Sequence, residues 1–147
     1  MTTATFRQLG DTVYASPQIG PADIAEAAAL GVTLVVNNRP DGEAPDEPQG
    51  AEIEAAARAA GLDYVAIPVT HAGFAMPPVE AMRAALDGAA GKTLAYCRSG
   101  TRSTLLWALT EARSGADPEA LSEAAAAAGY DLAPIRAILD AFAADGR

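Results

Sequence analysis

Cys97 is the only cysteine in the chain, and it heads the run Cys97-Arg98-Ser99-Gly100-Thr101-Arg102-Ser103. A sulfur nucleophile followed by a glycine and then an arginine suits one task, binding an anion while keeping the sulfur ionised. Backbone N–H groups from Ser99 to Ser103, placed at a helix N-terminus, form a nest that stabilises negative charge on a thiolate or on a bound substrate. Gly100 permits close backbone approach. Arg102 offers a planar fork of donors to an oxyanion, Ser99 and Ser103 bring hydroxyls toward the sulfur, and Thr101 completes the nest. Arg98 stands at the rim, recruiting anions or simply solvated. A lone cysteine at a strand end is more often a small buried hydrophobe, so the argument rests on the joint pattern.

Presenting such a loop requires a strand before it and a helix after it. Lys92-Thr93-Leu94-Ala95-Tyr96 reads as the strand, and Ser103 to Arg113 as the helix, striped by Leu105, Ala108, Leu109 and Ala112. Upstream, Thr12 to Ala15, Thr33 to Asn37 and Asp63 to Val69 read as strands. They alternate with helices over Pro21 to Leu30, Gln49 to Ala60 and from Pro77, where Val79, Met82 and Leu86 share a face. Two further helices are expected, Pro118 to Ala128 and Leu132 to Ala144. The alternation predicts an α/β fold, a mostly parallel sheet with right-handed crossovers and helices on both faces. Sites in such sheets lie at strand carboxyl ends, where Cys97 falls.

Bulk properties narrow the function. The 147 residues fit a single domain, 1–147, without repeat or linker, able to bury a core without disulfides. A formal charge of −9 disfavours nucleic acid and anionic membranes as partners. One cysteine and one histidine fall short of a structural zinc site, so no metal or cofactor is expected. The start, MTTATFRQLGD, has no basic and apolar leader, and no apolar run reaches the roughly 18 residues needed to span a bilayer. A cytoplasmic protein with a small anionic substrate is the expectation.

Other residues carry weaker signals. His71, after the third strand, is a candidate substrate-binding residue, with a structural role the commoner alternative. Asn37, Asn38 and Arg39 close another strand, where capping is their expected part. Asp41, Glu43, Asp46 and Glu47 read as a solvated acidic loop with the capacity to supply a general acid, and Trp107, Phe74 and Tyr64 as core.

Ile67-Pro68-Val69, followed by a loop, a helix, a strand and a Cys-Arg loop, resembles small dual-specificity phosphatases over about residues 12 to 115. Tyr96 to Ser103 most resembles the bacterial phosphatase-like domain found alone or fused to β-lactamase-like hydrolases, several members of which are described as sulfur transferases. Tyrosine-type phosphatases place five residues between cysteine and arginine and usually a histidine before the cysteine. Here there are four, and Tyr96. That spacing is similar to the loop of single-domain rhodaneses, which carry sulfur as a cysteine persulfide. Where the phosphatases have an acidic residue after Ile-Pro-Val, this chain has His71.

The resemblance therefore implies a phosphatase-like fold with a rhodanese-like loop. A general acid contributes roughly a hundred- to ten-thousand-fold in rate when an alkoxide leaves, whereas sulfane transfer expels a weakly basic group. The leading expectation is thus a sulfurtransferase in which Cys97 and Arg102 are catalytic. It takes sulfur from thiosulfate or a persulfide and passes it to a small-molecule or protein thiol. A phosphatase acting on a phosphoester through phosphocysteine is the alternative, and a non-catalytic anion- or partner-binding module is the third reading.

Overall fold

The computed structural model describes residues 6–40, 50–69 and 76–145. Among these described residues five strands, β1 (Arg7–Gly10), β2 (Val13–Ser16), β3 (Val32–Asn37), β4 (Asp63–Ala66) and β5 (Lys92–Tyr96), form one sheet in the order β1-β2-β5-β3-β4. The β1–β2 pair is antiparallel, and the other pairings are parallel. The fold is the expected α/β arrangement, with the sheet mostly parallel.

Strand β5 is central, and Thr93 to Tyr96 are all buried. Successive side chains serve opposite faces. Leu34, Val36 and Ala95 join one apolar cluster, while Val35, Leu94 and Tyr96 join the other. A strand covered on both faces needs this continuous apolar character. Helices α1 (Asp23–Ala29) and α2 (Gly50–Ala59) cover the second face through Ile24, Ala27, Ile53 and Ala57.

The first face is covered by α3 (Met76–Gly88), α4 (Thr101–Arg113), α5 (Pro118–Ala127) and α6 (Arg136–Asp145). Helix α4 lies in the middle of this layer, against α3, α5, α6 and the sheet, and buries Ser103, Thr104, Leu106, Trp107, Ala108, Leu109, Thr110 and Ala112. A helix buried on most of its circumference is held at a defined depth, and so is the loop feeding it. Asp117 caps α5 by accepting the Glu119 N–H (3.3 Å), and Pro118 follows at its first position.

Most element ends fall within one or two residues of the sequence reading, and four differences have a clear physical reason or consequence. Strand β1 was not expected: its Arg7 and Gln8 are exposed and only Leu9 is buried, so an edge strand leaves little apolar signal. The third strand stops at Ala66 because Pro68 has no N–H for the ladder. Its extension is tied instead by Ile67 N–H to the Asn37 carbonyl (2.8 Å) and Val69 N–H to the Asn38 carbonyl (2.9 Å). Helix α4 begins two residues earlier than read, which brings Arg102 into its first turn. The expected helix from Leu132 is a 3₁₀ turn, Ala133–Ile135, before α6, with Pro134 at its start.

Candidate active site

The end of β5 is held from both sides. The Tyr96 carbonyl accepts the Asn38 N–H (2.8 Å), and the Cys97 N–H reaches the Ser16 carbonyl (3.3 Å). Cys97 thus sits at the carboxyl edge of the sheet between β2 and β3, with 0% of its surface exposed. The chain turns through Arg98, Ser99 and Gly100 into α4, and Gly100 has φ +94°. The left-handed conformation that glycine tolerates aims the Gly100 N–H at Cys97 Sγ, 3.1 Å away. The sulfur is therefore held by a backbone donor at the start of a helix, an arrangement that stabilises a thiolate or another anion there.

The remaining loop contacts hold that geometry. The Gly100 carbonyl accepts both the N–H (3.0 Å) and the Oγ1 hydroxyl (2.8 Å) of Thr104. Ser99 Oγ donates to Thr101 Oγ1 (3.0 Å) and accepts the Thr101 N–H (3.3 Å). The exposed Arg98 uses its carbonyl to accept the Gln18 N–H (3.2 Å), and Gln18 Oε1 accepts Arg39 Nη1 (2.8 Å). Arg102 donates through Nη1 to the Val69 carbonyl (2.7 Å), joining the first turn of α4 to the segment after β4.

Cys97, Arg98, Ser99, Gly100, Thr101, Arg102 and Ser103 thus share one loop and helix start. The two serines are placed differently from the expectation that they meet the sulfur. Ser99 is turned to Thr101, and Ser103 Oγ is buried without a hydrogen-bond partner among the described residues. His71, Phe74, Asp41, Glu43, Asp46 and Glu47 lie outside the described residues. Trp107 is in the core. Asn37 serves as a local cap, its Oδ1 accepting the Arg39 N–H (2.9 Å) and its Nδ2 donating to the Tyr64 hydroxyl (3.0 Å). Asn38 Nδ2 donates to the Ile67 carbonyl (2.9 Å).

Sequence reasoning missed Tyr130, on the α5–α6 connection, whose hydroxyl donates to the Ser99 carbonyl (3.2 Å). Burial raises its phenol above the ordinary tyrosine value; the nearby Arg7 guanidinium opposes this, and Cys97 adds to it. The phenol thus keeps its proton at neutral pH. No motif surrounds Tyr130; its only signal was an aromatic residue directly after Gly129.

A Cβ at Gly100 would overlap the Tyr130 hydroxyl and lie 3.2 Å from the Ser16 carbonyl carbon. Gly100→Ala is therefore expected to cost about 1–3 kcal/mol and to push Tyr130 off Ser99. Urea unfolding reads the first effect, and a variant as stable as the parent would contradict the strain argument.

Residues 5–114 match the family described as the phosphatase-like domain of beta-lactamase hydrolase-like proteins. The chain is 36% identical over 104 residues to the beta-lactamase hydrolase-like protein of Agrobacterium fabrum, a match spanning 71% of this chain and 24% of that one. It therefore spans about a quarter of the length of that curated relative. Among solved structures, a candidate phosphatase from Neisseria meningitidis superposes with a TM-score of 0.84 at 34% identity, covering 94% of this chain and 98% of that one. P. aeruginosa TpbA in complex with pTyr shares the fold, with a TM-score of 0.68 at 18% identity over 97% and 90% of the two chains.

Proposed function

The chain belongs to the family of phosphatase-like domains of beta-lactamase hydrolase-like proteins, and from that membership we propose that it is a cysteine-dependent phosphatase of small anionic phosphate esters. One observation carries the reading: Cys97 Sγ lies at the start of α4 and receives the Gly100 N–H at 3.1 Å. In the first step the thiolate attacks phosphorus, the S–P bond forms, and the bond from phosphorus to the leaving oxygen breaks. That oxygen takes a proton, for which His71, two residues beyond Val69 in the chain, is the candidate donor. Water then attacks the phosphocysteine, and the S–P bond breaks to return the thiolate and release phosphate. The loop amides and Arg102 stabilise the charge on the transferring group. The pTyr bound in the TpbA structure supports an aryl phosphate as the first substrate to try.

Sulfur transfer, the leading expectation from the loop alone, is supported by the four residues between Cys97 and Arg102. The family and the phosphatase-like neighbours favour phosphoryl transfer. One experiment separates the two. Wild-type protein and Cys97→Ser are quenched during incubation with an aryl phosphate or with thiosulfate, and the intact masses are measured. A phosphoryl adduct on wild type alone is expected. A one-sulfur adduct discharged by cyanide, with no phosphocysteine, would replace the phosphatase reading with sulfur transfer. Phosphate binding with neither adduct would leave an anion-binding module.

A further inference from the structure

We propose that Tyr130 is a positioning residue for the Cys97 loop, clamping the backbone whose N–H groups act on the substrate; the inference rests on the phosphatase reading and deepens it. Tyr130 lies beyond the 5–114 segment that matches the family, whereas the Cys97 loop lies within it, so the α5–α6 connection adds a group to the loop from outside the matched segment.

Three observations converge on this role. The Tyr130 hydroxyl donates to the Ser99 carbonyl (3.2 Å), in the middle of the turn between nucleophile and helix. It also fills the space where a Gly100 side chain would stand, so Gly100 offers its N–H to Cys97 and its bare Cα to the phenol. The residue is in turn held from behind. Arg7 of β1 lies over the ring, 5.8 Å from its centroid, and donates through Nη1 to the Ala128 carbonyl (2.9 Å). Gly129, at φ +93°, makes room for that guanidinium, since a Cβ there would come within 2.8 Å of Arg7 Nη1. The Tyr130 N–H closes on the Ala125 carbonyl (2.8 Å), fixing the turn to the end of α5.

A phenol held in this way transmits the position of the α5–α6 layer to the loop. The amides of such a loop do most of their work on charge that develops in the transition state, so their misplacement lowers the rate more than it weakens substrate binding. Tyr130→Phe removes the hydroxyl, with its bond to Ser99 and its close approach to Gly100, and keeps the ring and the Arg7 contact.

For an aryl phosphate, Tyr130→Phe is expected to lower kcat roughly three- to tenfold, the effect of losing one net hydrogen bond, with KM shifting by less than a factor of about two and the melting temperature held. Alkylation of Cys97 by iodoacetamide at neutral pH supplies a second readout that needs no phosphoryl chemistry. It is expected to slow in the same variant as the Gly100 N–H loosens from the sulfur. Turnover and alkylation both at wild-type rates would overturn the proposal, as would a loss of kcat that only tracks a fall in melting temperature. If wild type shows no Cys97-dependent turnover while alkylation still slows in Tyr130→Phe, the phosphatase reading fails and the positioning role stands.

Discussion

Cys97→Ser is expected to lower aryl-phosphate turnover by roughly 10⁴-fold or more, because a serine hydroxyl beside the same amide is a far weaker nucleophile than a thiolate. The substitution is nearly isosteric at a site with 0% exposure, and a serine oxygen can accept the same Gly100 N–H. The fold should therefore survive, and a circular-dichroism melt alongside initial rates separates lost chemistry from lost structure. Serine protein that melts like wild type and still turns over at a comparable rate would remove Cys97 from the mechanism.

Arg102→Ala should cost roughly 10²–10³-fold in kcat/KM, the scale of losing one preorganised charge-stabilising donor. Under the phosphatase reading the side chain has two tasks: its charge and fork would meet the transferring phosphoryl group, and its Nη1 holds the Val69 carbonyl at 2.7 Å. Arg102→Lys separates charge from shape, since a lysine restores the charge but not the planar fork. It should recover only a minor part of the lost rate. Full activity in the lysine variant would mean that charge alone suffices and that the planar fork is dispensable.

Phosphoryl and sulfane transfer ask the same things of a cradle: a sulfur nucleophile, inward amides and an arginine. The count of residues between Cys97 and Arg102 therefore drew the sequence reading toward sulfur transfer, while the chain-wide likeness draws it toward phosphatases. Local spacing records how the loop closes on its anion. It does not record which atom of the substrate the sulfur attacks.

The buried strands were legible because β3 and β5 place apolar residues on both faces, a pattern that survives without neighbours. The edge strand β1 was not, because Arg7 and Gln8 face solvent and pairing with β2 alone makes it a strand. The loop was legible from Cys97 to Arg102 because its residues are contiguous and each type has a separate chemical reason to be there. The direction of each side chain was not, and Ser99, expected at the sulfur, turns to Thr101 instead.

Contiguous residues thus carry the nucleophile, the glycine turn and the arginine, since covalent connection already holds them within reach of one another. Tyr130 on Ser99, the Val69 carbonyl on Arg102 and Gln18 between Arg98 and Arg39 are partners separated by tens of residues. Each pair meets only because the order β1-β2-β5-β3-β4 and the packing of α4 among α3, α5 and α6 bring those chain segments to one edge of the sheet. Short-range chemistry is written in neighbouring residues, whereas side-chain direction and long-range contact follow from how the layers pack.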